Sequence, residues 1–426
     1  MRLSTEQSQT PLALDDLTVL DLTDEKGQYM GKLMGDLGAT VIKVEPPGGD
    51  AARRIGPFAG DKETPERSLF WWHYNSSKLG VTLDISRPEG RELLKRMVVK
   101  ADVVLESFQP GYLDRLGIGY KVLSAVNPSL IMTSLTGFGQ TGPYRDYLTS
   151  DLISLAMGGP MASSGYSTED VPDAPPIRGT GNQGYHTGSH WGLIGTLAAL
   201  AWRDGTGEGQ HVDASLHEAL ACTTEAAMPQ YLYAKRAPMR QTGRHHGQTP
   251  TPRTQWHTGD GRLVCAFNVP RSVASWNSLT DWMAEHGVGQ ELRTDPKYRQ
   301  AFLAGARATP EIDAVWRGMG DLIRKLPMEE AYRGGQQRGY PWGAIRSPDE
   351  NVNDPHFRAR GFFVQVEHPE EGRSYTYPSA PAIMSLTRYG IRHRAPRIGE
   401  HNEQVYSALL GLTAQEVARL RHEKVV

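Results

Sequence analysis

A proline-closed loop in the middle of the chain carries side chains suited to covalent chemistry. The stretch SSGYSTEDVPDAPP covers residues 163–176 and contains Glu169, Asp170 and Asp173. A carboxylate can act as a covalent nucleophile when it is held beside an activated carbonyl. Acidic residues in loops are more often simply solvated. Composition alone favours the second interpretation, and both stay open on these residues.

Glycine-rich loops and basic residues form a second group of candidates. The loops PPGGD and TGFGQTGPY could hold a phosphate with backbone N–H groups, although glycine and proline are also common in ordinary turns. Neither loop matches the dinucleotide or the P-loop fingerprint. Four arginines lie near predicted strand ends, namely Arg53, Arg54, Arg115 and Arg145. Their guanidinium groups suit phosphates, although each of these side chains could equally be a solvated surface group.

Two other chemistries are not supported by the motifs. The loop GRHHGQ, residues 243–248, lacks HExxH spacing and a nearby cysteine, and adjacent histidines are not a chelating pair on a regular element. We therefore predict no metal site. No G-x-S-x-G motif is present, and SSG at 163–165 is typical of a turn, which argues against a serine hydrolase.

The elements that position these residues alternate between strand and helix. An apolar run at 17–22, a helical stretch at 27–37 and a second apolar run at 39–45 predict a βαβ unit and hence a doubly wound parallel sheet. GVTLDI, a helix opening at Pro88, ADVVLESF and SLIMTSLTGFG continue the alternation. Ligands of such sheets bind beyond the carboxyl ends of the strands. The loops at those ends are TDEKG, EPPGGD, ESFQPGY and TGFGQTGPY.

The remaining patterns predict the domain organisation. A small-residue-rich helix begins near residue 183, and its apolar composition predicts that it is buried. Thr413, followed by Glu416, predicts a capping box that opens a last helix. We predict a large Rossmann-like domain, a small α/β domain and a return linker. Their predicted bounds are 1–220 completed by 390–426, then 240–345, and 346–389.

Bulk composition excludes several classes of protein. The chain has 426 residues and a formal net charge of -2, which favours neither nucleic acid nor an anionic membrane surface as a partner. No apolar run approaches the roughly 20 residues of a membrane span. The first residues, MRLSTEQSQTPLALDD, lack the order of a signal peptide. Only Cys222 and Cys265 occur, so we predict no disulfide framework and a cytoplasmic protein.

Longer motifs resemble one family in order and along nearly the whole chain. They are VLDLT…GKLMGDLGATVIKVEPPGGDAAR, NSSKLGVTLDISRPEGRELLKRMVVKADVVLESFQPGYLDRLGIGY, NPSLIMTSLTGFGQTGPY, LIGTLAALAWRDGTGEGQHVDASLHEA and GEHNEQVYSALLGLTAQEVARL. This sequence resembles the class III CoA-transferases, which include formyl-CoA and carnitine CoA-transferases. ADVVLESFQPGYLDRLG and TGEGQHVDASL are the most specific of these motifs.

The resemblance implies a fold and a reaction. Members form interlocked homodimers of ring-like chains, each with a Rossmann-type domain and a smaller α/β domain. An aspartate attacks an acyl-CoA thioester and becomes a mixed anhydride and then an aspartyl-CoA thioester, from which CoA passes to a free carboxylic acid. CoA and acyl-CoA are therefore expected as substrates, with no permanently bound cofactor.

The resemblance also assigns site residues. The family's T-G-x-x-D loop aligns Asp170 with the catalytic position, because relatives read G-Y-D-D before a similar exit; anchoring on D-x-P-P would select Asp173 instead. Glu169 then matches the preceding acidic position. The residues assigned to CoA are Asp24, Glu25 and Lys26 in the first loop, Asn75, Ser77, Arg115, Leu116 and Thr136.

Several positions depart from the formyl-CoA transferase pattern. Lys26 stands where those enzymes have a glutamine, Thr136 replaces a lysine, and GRHHGQTPTP occupies the place of a four-glycine flap. These changes predict larger acids, such as aromatic, arylsuccinate or steroid-side-chain groups. The aromatic residues that could line such a pocket, or equally belong to the core, are Trp71, Trp72, Tyr166 and Tyr185.

Two alternative functions remain. One is an acyl-CoA racemase or epimerase, which requires two bases at the α-carbon. The racemase pattern has a histidine where this chain has Ser150, which argues against that reaction, and Asp151 is then predicted to cap a helix. The other is a CoA-binding paralogue that has lost activity, an alternative suggested by the irregular acidic loop.

Overall fold

The computed structural model describes residues 11–225, 227–267, 272–306 and 309–426. The N-terminal stretch that argues against a signal peptide therefore lies mostly outside the described residues. Small parts of the two predicted domains also lie outside them. No helix in the described part of the chain is long and apolar enough to cross a membrane.

Strands occur throughout the described part of the chain. In chain order they are β1 Thr18–Leu22, β2 Thr40–Glu45, β3 Lys78–Thr82, β4 Val103–Glu106, β5 Ile131–Thr136, β6 His211–Ser215, β7 Gln255–His257, β8 Leu263–Cys265, β9 Gly343–Ala344, β10 Phe363–His368 and β11 Arg373–Pro378.

Helices connect and cover these strands. In chain order they are α1 Gln28–Asp36, α2 Leu69–Tyr74, α3 Pro88–Val98, α4 Tyr112–Arg115, α5 Tyr120–Val126, α6 Asp151–Met157, α7 Gln183–Thr206, α8 Leu216–Ala221, α9 Ala227–Ala234, α10 Val273–Glu285, α11 Gln290–Thr294, α12 Pro296–Leu303, α13 Pro310–Lys325, α14 Met328–Gln337, α15 Pro355–Ala359, α16 Asn402–Leu410 and α17 Ala414–His422.

The first six strands form one parallel sheet. Their spatial order is β3-β2-β1-β4-β5-β6, so the order reverses between β1 and β4. This is the doubly wound, Rossmann-like order, and it confirms the predicted α/β class. Apart from the edge strand β6, the strands are buried along nearly their whole length, as expected for a parallel sheet covered on both faces.

The chain divides into two compact units. The first comprises residues up to 158, 180–223 and 355–426, and the second comprises 159–179 and 224–354. The first unit contains the six-stranded sheet and the antiparallel β10–β11 hairpin. The second contains the antiparallel sheet β7-β8-β9 and the helices α9 to α14. The acidic loop with Asp170 therefore belongs to the second unit.

The core of the second unit is rich in tryptophan. Trp256, Trp276, Trp282 and Trp342 are all buried among aliphatic side chains. The backbone of α13 comes so close to the first of these rings that a Cβ at Gly320 would lie 2.3 Å from a Trp256 ring carbon. A larger residue at that position would force the helix away from β7.

Helix α7 differs from the prediction that it is buried. Gly188 and Gly192 lie on its buried face, where a Cβ would lie 2.2 Å from Leu216 of α8 and 2.8 Å from Met30 of α1, respectively. Tyr185, Leu193 and Leu200 are also buried, whereas Trp191, Ile194 and Trp202 on the other face are 46%, 54% and 58% exposed. The prediction that this helix is buried is therefore wrong for the face that carries these three exposed side chains.

Candidate functional site

The loops after β1 and β4 meet where the strand order reverses. The Asp24 N–H donates to the Ser107 hydroxyl at 2.8 Å, and that hydroxyl donates to the Asp24 carboxylate at 2.7 Å. β1 and β4 are hydrogen-bonded neighbours, so both loops leave the same edge of the sheet. This edge is the usual ligand site of a doubly wound sheet. The structure therefore places the predicted first-loop residues at the expected position.

The side chains of the first loop are charged and only partly exposed. Lys26 forms a salt bridge with Asp24, and its backbone N–H also donates to the Asp24 carboxylate at 3.1 Å. Burial raises the pKa of Glu25, and the neighbouring Asp24 carboxylate adds to that shift. The loop thus offers one ammonium group among acidic neighbours at the edge of the sheet.

A buried ion pair between β1 and β3 stabilises the first loop. Lys78 Nζ lies 2.7 Å from Asp21 Oδ2 and donates at 2.7 Å to the Gln28 carbonyl, at the start of α1. The other Asp21 oxygen accepts the backbone N–H and the hydroxyl of Thr23 at 2.9 and 2.6 Å. Asp21 and Lys78 have fully buried side chains, so their charges must be compensated inside the protein. Both ends of the first loop are therefore held by one network.

Two residues predicted to contact CoA have buried side chains. Asn75 Oδ1 accepts from Lys78 Nζ at 2.9 Å, and the Ser77 hydroxyl donates to Asp36 at 2.6 Å. Asn75 and Ser77 are 0% and 1% exposed. These side chains hold the interior of the first unit together, and their assignment to CoA stays a prediction.

Glu106 is a candidate that sequence reasoning did not single out. It ends β4, is 4% exposed, and accepts the Phe108 N–H at 2.7 Å. Burial raises the pKa of Glu106 to about 7, against the effect of hydrogen bonds from Ser134 and Phe108. An acidic residue at the carboxyl end of a buried strand, at the point of strand reversal, is the sequence signal that could have identified it.

Glu106 makes the stability of the first unit depend on pH. Its pKa is raised from 4.5 to about 7, so between these values the folded protein keeps a proton that the unfolded chain has lost. Stability therefore falls as the pH rises through this window. Glu106→Gln, which mimics the neutral carboxyl, should gain about 2–3 kcal/mol over the wild type between pH 5 and pH 8.

Thermal midpoints of both proteins measured from pH 5 to pH 8 test this prediction. Since other groups titrate equally in the two proteins, the difference between their thermal midpoints reports on Glu106 alone. A difference that does not change with pH would show that Glu106 is already ionised at pH 5.

Arg115 lies on α4, in the loop region that follows β4. Gly111 precedes this short helix with a φ of 76°, in the left-handed region, and a Cβ there would lie 3.4 Å from Arg115 Nη1 and 3.5 Å from Arg145 Nη2. Both guanidinium groups therefore lie close to Gly111. Arg115 is exposed, and Leu116, the next residue, is half-buried. Guanidinium groups suit a phosphate.

Thr136 shapes the turn after β5. Its hydroxyl accepts the Gly139 N–H at 2.9 Å, and Thr136 is buried at the end of the strand. Gly139 has a φ of 83°, which favours glycine. Thr136 therefore stabilises the glycine turn at the same edge of the sheet as the first loop.

In the second unit, Asp170 lies in a turn closed by hydroxyl groups. The Ser167 hydroxyl donates to Asp170 Oδ2 at 2.7 Å, and the Thr242 hydroxyl accepts the Ser167 N–H at 2.9 Å. Hydrogen bonds from Thr242 and Ser167 lower the pKa of Asp170, and the side chain is exposed. Glu169 and Asp173 are exposed as well. Asp170 is thus an ionised and accessible carboxylate, as a nucleophile must be.

A neighbouring segment fixes the backbone of this acidic loop. Arg240 donates to the carbonyl oxygens of Tyr166 and Ala174 at 2.8 and 2.9 Å. These two carbonyls lie on either side of Asp170 along the chain. The segment that carries Arg240 and Thr242 is therefore a structural support of the candidate nucleophile.

Three other sequence-based interpretations are resolved by burial and hydrogen bonds. Trp71 and Trp72 are 1% and 5% exposed and belong to the core of the first unit, whereas Tyr166 is exposed. Tyr185 packs in the core beside the sheet. Asp151 does not cap the helix that it begins: Ser150 does so, and Asp151 Oδ1 accepts the N–H groups of Gly184 and Tyr185 at the start of α7.

Comparisons with known proteins identify the family and the fold. A model of the family described as CoA-transferase family III matches residues 14–402. The succinyl-CoA–D-citramalate CoA-transferase of Chloroflexus aurantiacus is 34% identical, with 98% of each chain covered. A subunit of the succinyl-CoA:(R)-benzylsuccinate CoA-transferase of Thauera aromatica is 32% identical, with 91% of this chain and 92% of the relative covered. The crystal structure of a CAIB/BAIF family protein from Brucella suis superposes with a TM-score of 0.77 at 27% identity, covering 94% of this chain and all of that one.

Proposed function

The chain belongs to CoA-transferase family III, and from that premise we propose that it moves CoA from an acyl-CoA to a free carboxylic acid through Asp170. The family match, which runs in order over residues 14–402, carries this proposal. Arg115 and Arg145, whose guanidinium groups lie close to Gly111, support it because such groups suit the phosphates of CoA.

The proposed reaction needs no energy source other than the thioester. The Asp170 carboxylate attacks the thioester carbonyl, the C–S bond breaks, and CoA leaves as a thiolate. The thiolate then attacks the Asp170 carbonyl of the mixed anhydride, which releases the donor acid and leaves an aspartyl-CoA thioester. The acceptor carboxylate displaces CoA to form a second anhydride, and the thiolate attacks its acyl carbonyl. Asp170 is regenerated as a carboxylate, and the new acyl-CoA departs.

The two named relatives and the first loop support a substrate class. Both relatives are named as succinyl-CoA transferases with dicarboxylic acceptors. On binding, the second carboxylate of such an acid would replace Asp24 as the partner of the Lys26 ammonium. We therefore propose succinyl-CoA as donor and an acid of that size or larger as acceptor, a class in which the arylsuccinates predicted from the sequence also fall.

The exposed apolar face of α7 supports the proposed homodimer. Trp191, Ile194 and Trp202 lie on one helix and leave large apolar surfaces in contact with solvent. Surfaces of this kind usually mark a contact with another chain. The interlocked dimer implied by the family resemblance would cover them.

A transfer assay tests the proposed function. The purified protein is incubated with succinyl-CoA and one acid at a time from a panel of citramalate, malate, mesaconate, benzylsuccinate and oxalate, without ATP. We expect a new CoA ester and an equal amount of free succinate with at least one dicarboxylic acid. Release of free CoA without any new ester would indicate hydrolysis and contradict the proposal.

Replacement of Arg115 should weaken binding of the acyl-CoA rather than the chemical step. Arg115→Met removes one exposed guanidinium group, so we expect KM for the acyl-CoA to rise about tenfold, with kcat changed less than about twofold. The matched control is Arg421→Met, an exposed arginine on the last helix. Steady-state kinetics measure both constants, and an unchanged KM in the Arg115 variant would show that Arg115 does not bind CoA.

A further inference from the structure

Three potential metal ligands meet on the surface of the second unit. Glu225, His245 and His246, here called the Glu225 cluster, each place one ligand atom within 4.8 Å of the others. Glu225 Oε2 lies 3.1 Å from His245 Nε2 and 3.6 Å from His246 Nε2. The sequence predicts no metal site here because adjacent histidines cannot chelate from a regular element. The loop conformation removes that objection, and the fold adds a carboxylate.

The two imidazole rings are arranged side by side. Their centroids are 4.5 Å apart with an interplanar angle of 27°, which directs both Nε2 atoms towards the same carboxylate. Ligand atoms about 3.3 Å apart are expected around a tetrahedral Zn²⁺, given metal–ligand distances of about 2.0–2.1 Å. The two distances to Glu225 lie on either side of that value.

A hydrogen bond fixes the tautomer of one ring. His245 Nδ1 lies 2.8 Å from the His246 carbonyl oxygen, and a carbonyl can only accept, so Nδ1 carries the proton. In the neutral ring, Nε2 then has a lone pair, and that lone pair faces the Glu225 carboxylate. Two electron-rich atoms at this distance repel each other unless a proton or a metal ion lies between them, and above the ordinary pKa of histidine a metal ion fills that role. Metal-bound histidines commonly have this same backbone hydrogen bond on the other nitrogen.

We propose that the Glu225 cluster binds a divalent first-row transition ion such as Zn²⁺ through the two Nε2 atoms and one carboxylate oxygen. Two imidazoles and one carboxylate favour Zn²⁺ over Ca²⁺ or Mg²⁺, because the last two ions prefer oxygen ligands. Glu225 and His245 have side chains that are 60% and 59% exposed, so the remaining coordination positions are open to water. The site is therefore accessible to exchange with ions in solution.

The ion would fix the segment that supports Asp170. His245 and His246 lie between the bridges that join Met239 to Gly247 and Arg244 to Arg253. Thr242, three residues before His245, bonds with Ser167 in the acidic loop. A bound ion therefore stiffens the loop behind the candidate nucleophile. This consequence rests on the proposed function, whereas binding of the ion does not.

Calorimetric titration of the tag-free, full-length protein with ZnCl₂ tests the proposal in the absence of any acyl-CoA. A buffer at about pH 8 keeps ordinary histidines neutral. We expect saturable binding of one ion per chain, weakened at least about tenfold in Glu225→Gln and in His245→Asn. The matched control is His422→Asn, an exposed histidine on the last helix, which should bind as the wild type does. Circular dichroism verifies that each variant is folded.

The possible outcomes separate the two proposals. Binding lost in the cluster variants and retained in His422→Asn supports the site, whether or not CoA transfer is observed. No saturable binding, or binding that persists in both Glu225→Gln and His245→Asn, would overturn it. An inactive protein that binds Zn²⁺ at the cluster would contradict the proposed function alone.

Discussion

We expect the Asp170→Asn variant to lose at least about 10³-fold in kcat for CoA transfer, because an amide cannot attack a thioester to form an anhydride. Asp170 is exposed and bonded mainly to two hydroxyl groups, so the substitution should leave the fold intact. Binding of the acyl-CoA should change little, since the proposed CoA contacts lie on other elements. Initial rates and the KM for succinyl-CoA measure both effects.

Asp173→Asn is the matched control for this variant. Asp173 has the same side chain, is also exposed, and lies three residues away in the same loop. Its substitution should change kcat less than about threefold, in the range of an ordinary surface position. Loss of activity in Asp173→Asn with activity retained in Asp170→Asn would move the nucleophile to the alternative alignment.

The second large effect concerns stability. Asp21→Asn should lower the free energy of unfolding of the first unit by about 3–5 kcal/mol, because it leaves the buried Lys78 ammonium without its counter-ion. Burial lowers the pKa of Lys78 to about 8, and Asp21 counteracts that shift. The same substitution also weakens the bonds to Thr23, so the first loop should lose order as well.

Hydrogen–deuterium exchange of the amides in β1 and β3 measures this loss within the first unit. The control is Lys95→Met, which breaks an exposed pair with Glu92 and should cost less than about 1 kcal/mol. Equal protection of β1 in the wild type and in Asp21→Asn would show that the ion pair contributes nothing to stability.

Local elements of the first unit could be predicted because their signals are contained in short stretches. The strand, helix and strand predicted at 17–22, 27–37 and 39–45 are observed as Thr18–Leu22, Gln28–Asp36 and Thr40–Glu45. Buried parallel strands are continuous apolar runs, which are easy to identify in a sequence. The capping box at Thr413 is confirmed in the same way, since it depends on residues three apart.

Contacts between distant residues could not be predicted from the sequence. The ion pair of Asp21 with Lys78 joins residues on β1 and β3, and nothing in either strand's local pattern indicates the other. The contact between Glu225 and His245 could not be predicted for the same reason. The exposed face of α7 could not be predicted either, because its Trp191 and Ile194 are as apolar as the buried Leu193 and Leu200 of the same helix.

The positions of the loops in the candidate site could be predicted from the sequence, whereas the directions of its side chains could not. Strand ends locate the loop at Asp24 and the turn at Thr136, because the topology of a parallel sheet fixes where ligands bind. Asn75 and Ser77 precede the amino end of β3, and their side chains point into the protein. Side-chain direction depends on backbone angles such as the φ of 62° at Ser77, which sequence patterns do not specify.

Mapping of covalent adducts tests the central claim most directly. The protein is incubated with succinyl-CoA and other acyl-CoAs, treated separately with hydroxylamine and borohydride, and analysed by peptide mass spectrometry, with Asp170→Asn as control. We predict a hydroxamate or a reduced adduct on Asp170 that is absent from the control. No adduct with any donor, combined with deuterium uptake at the α-carbon of the acyl group in heavy water, would contradict the transferase account and favour the racemase.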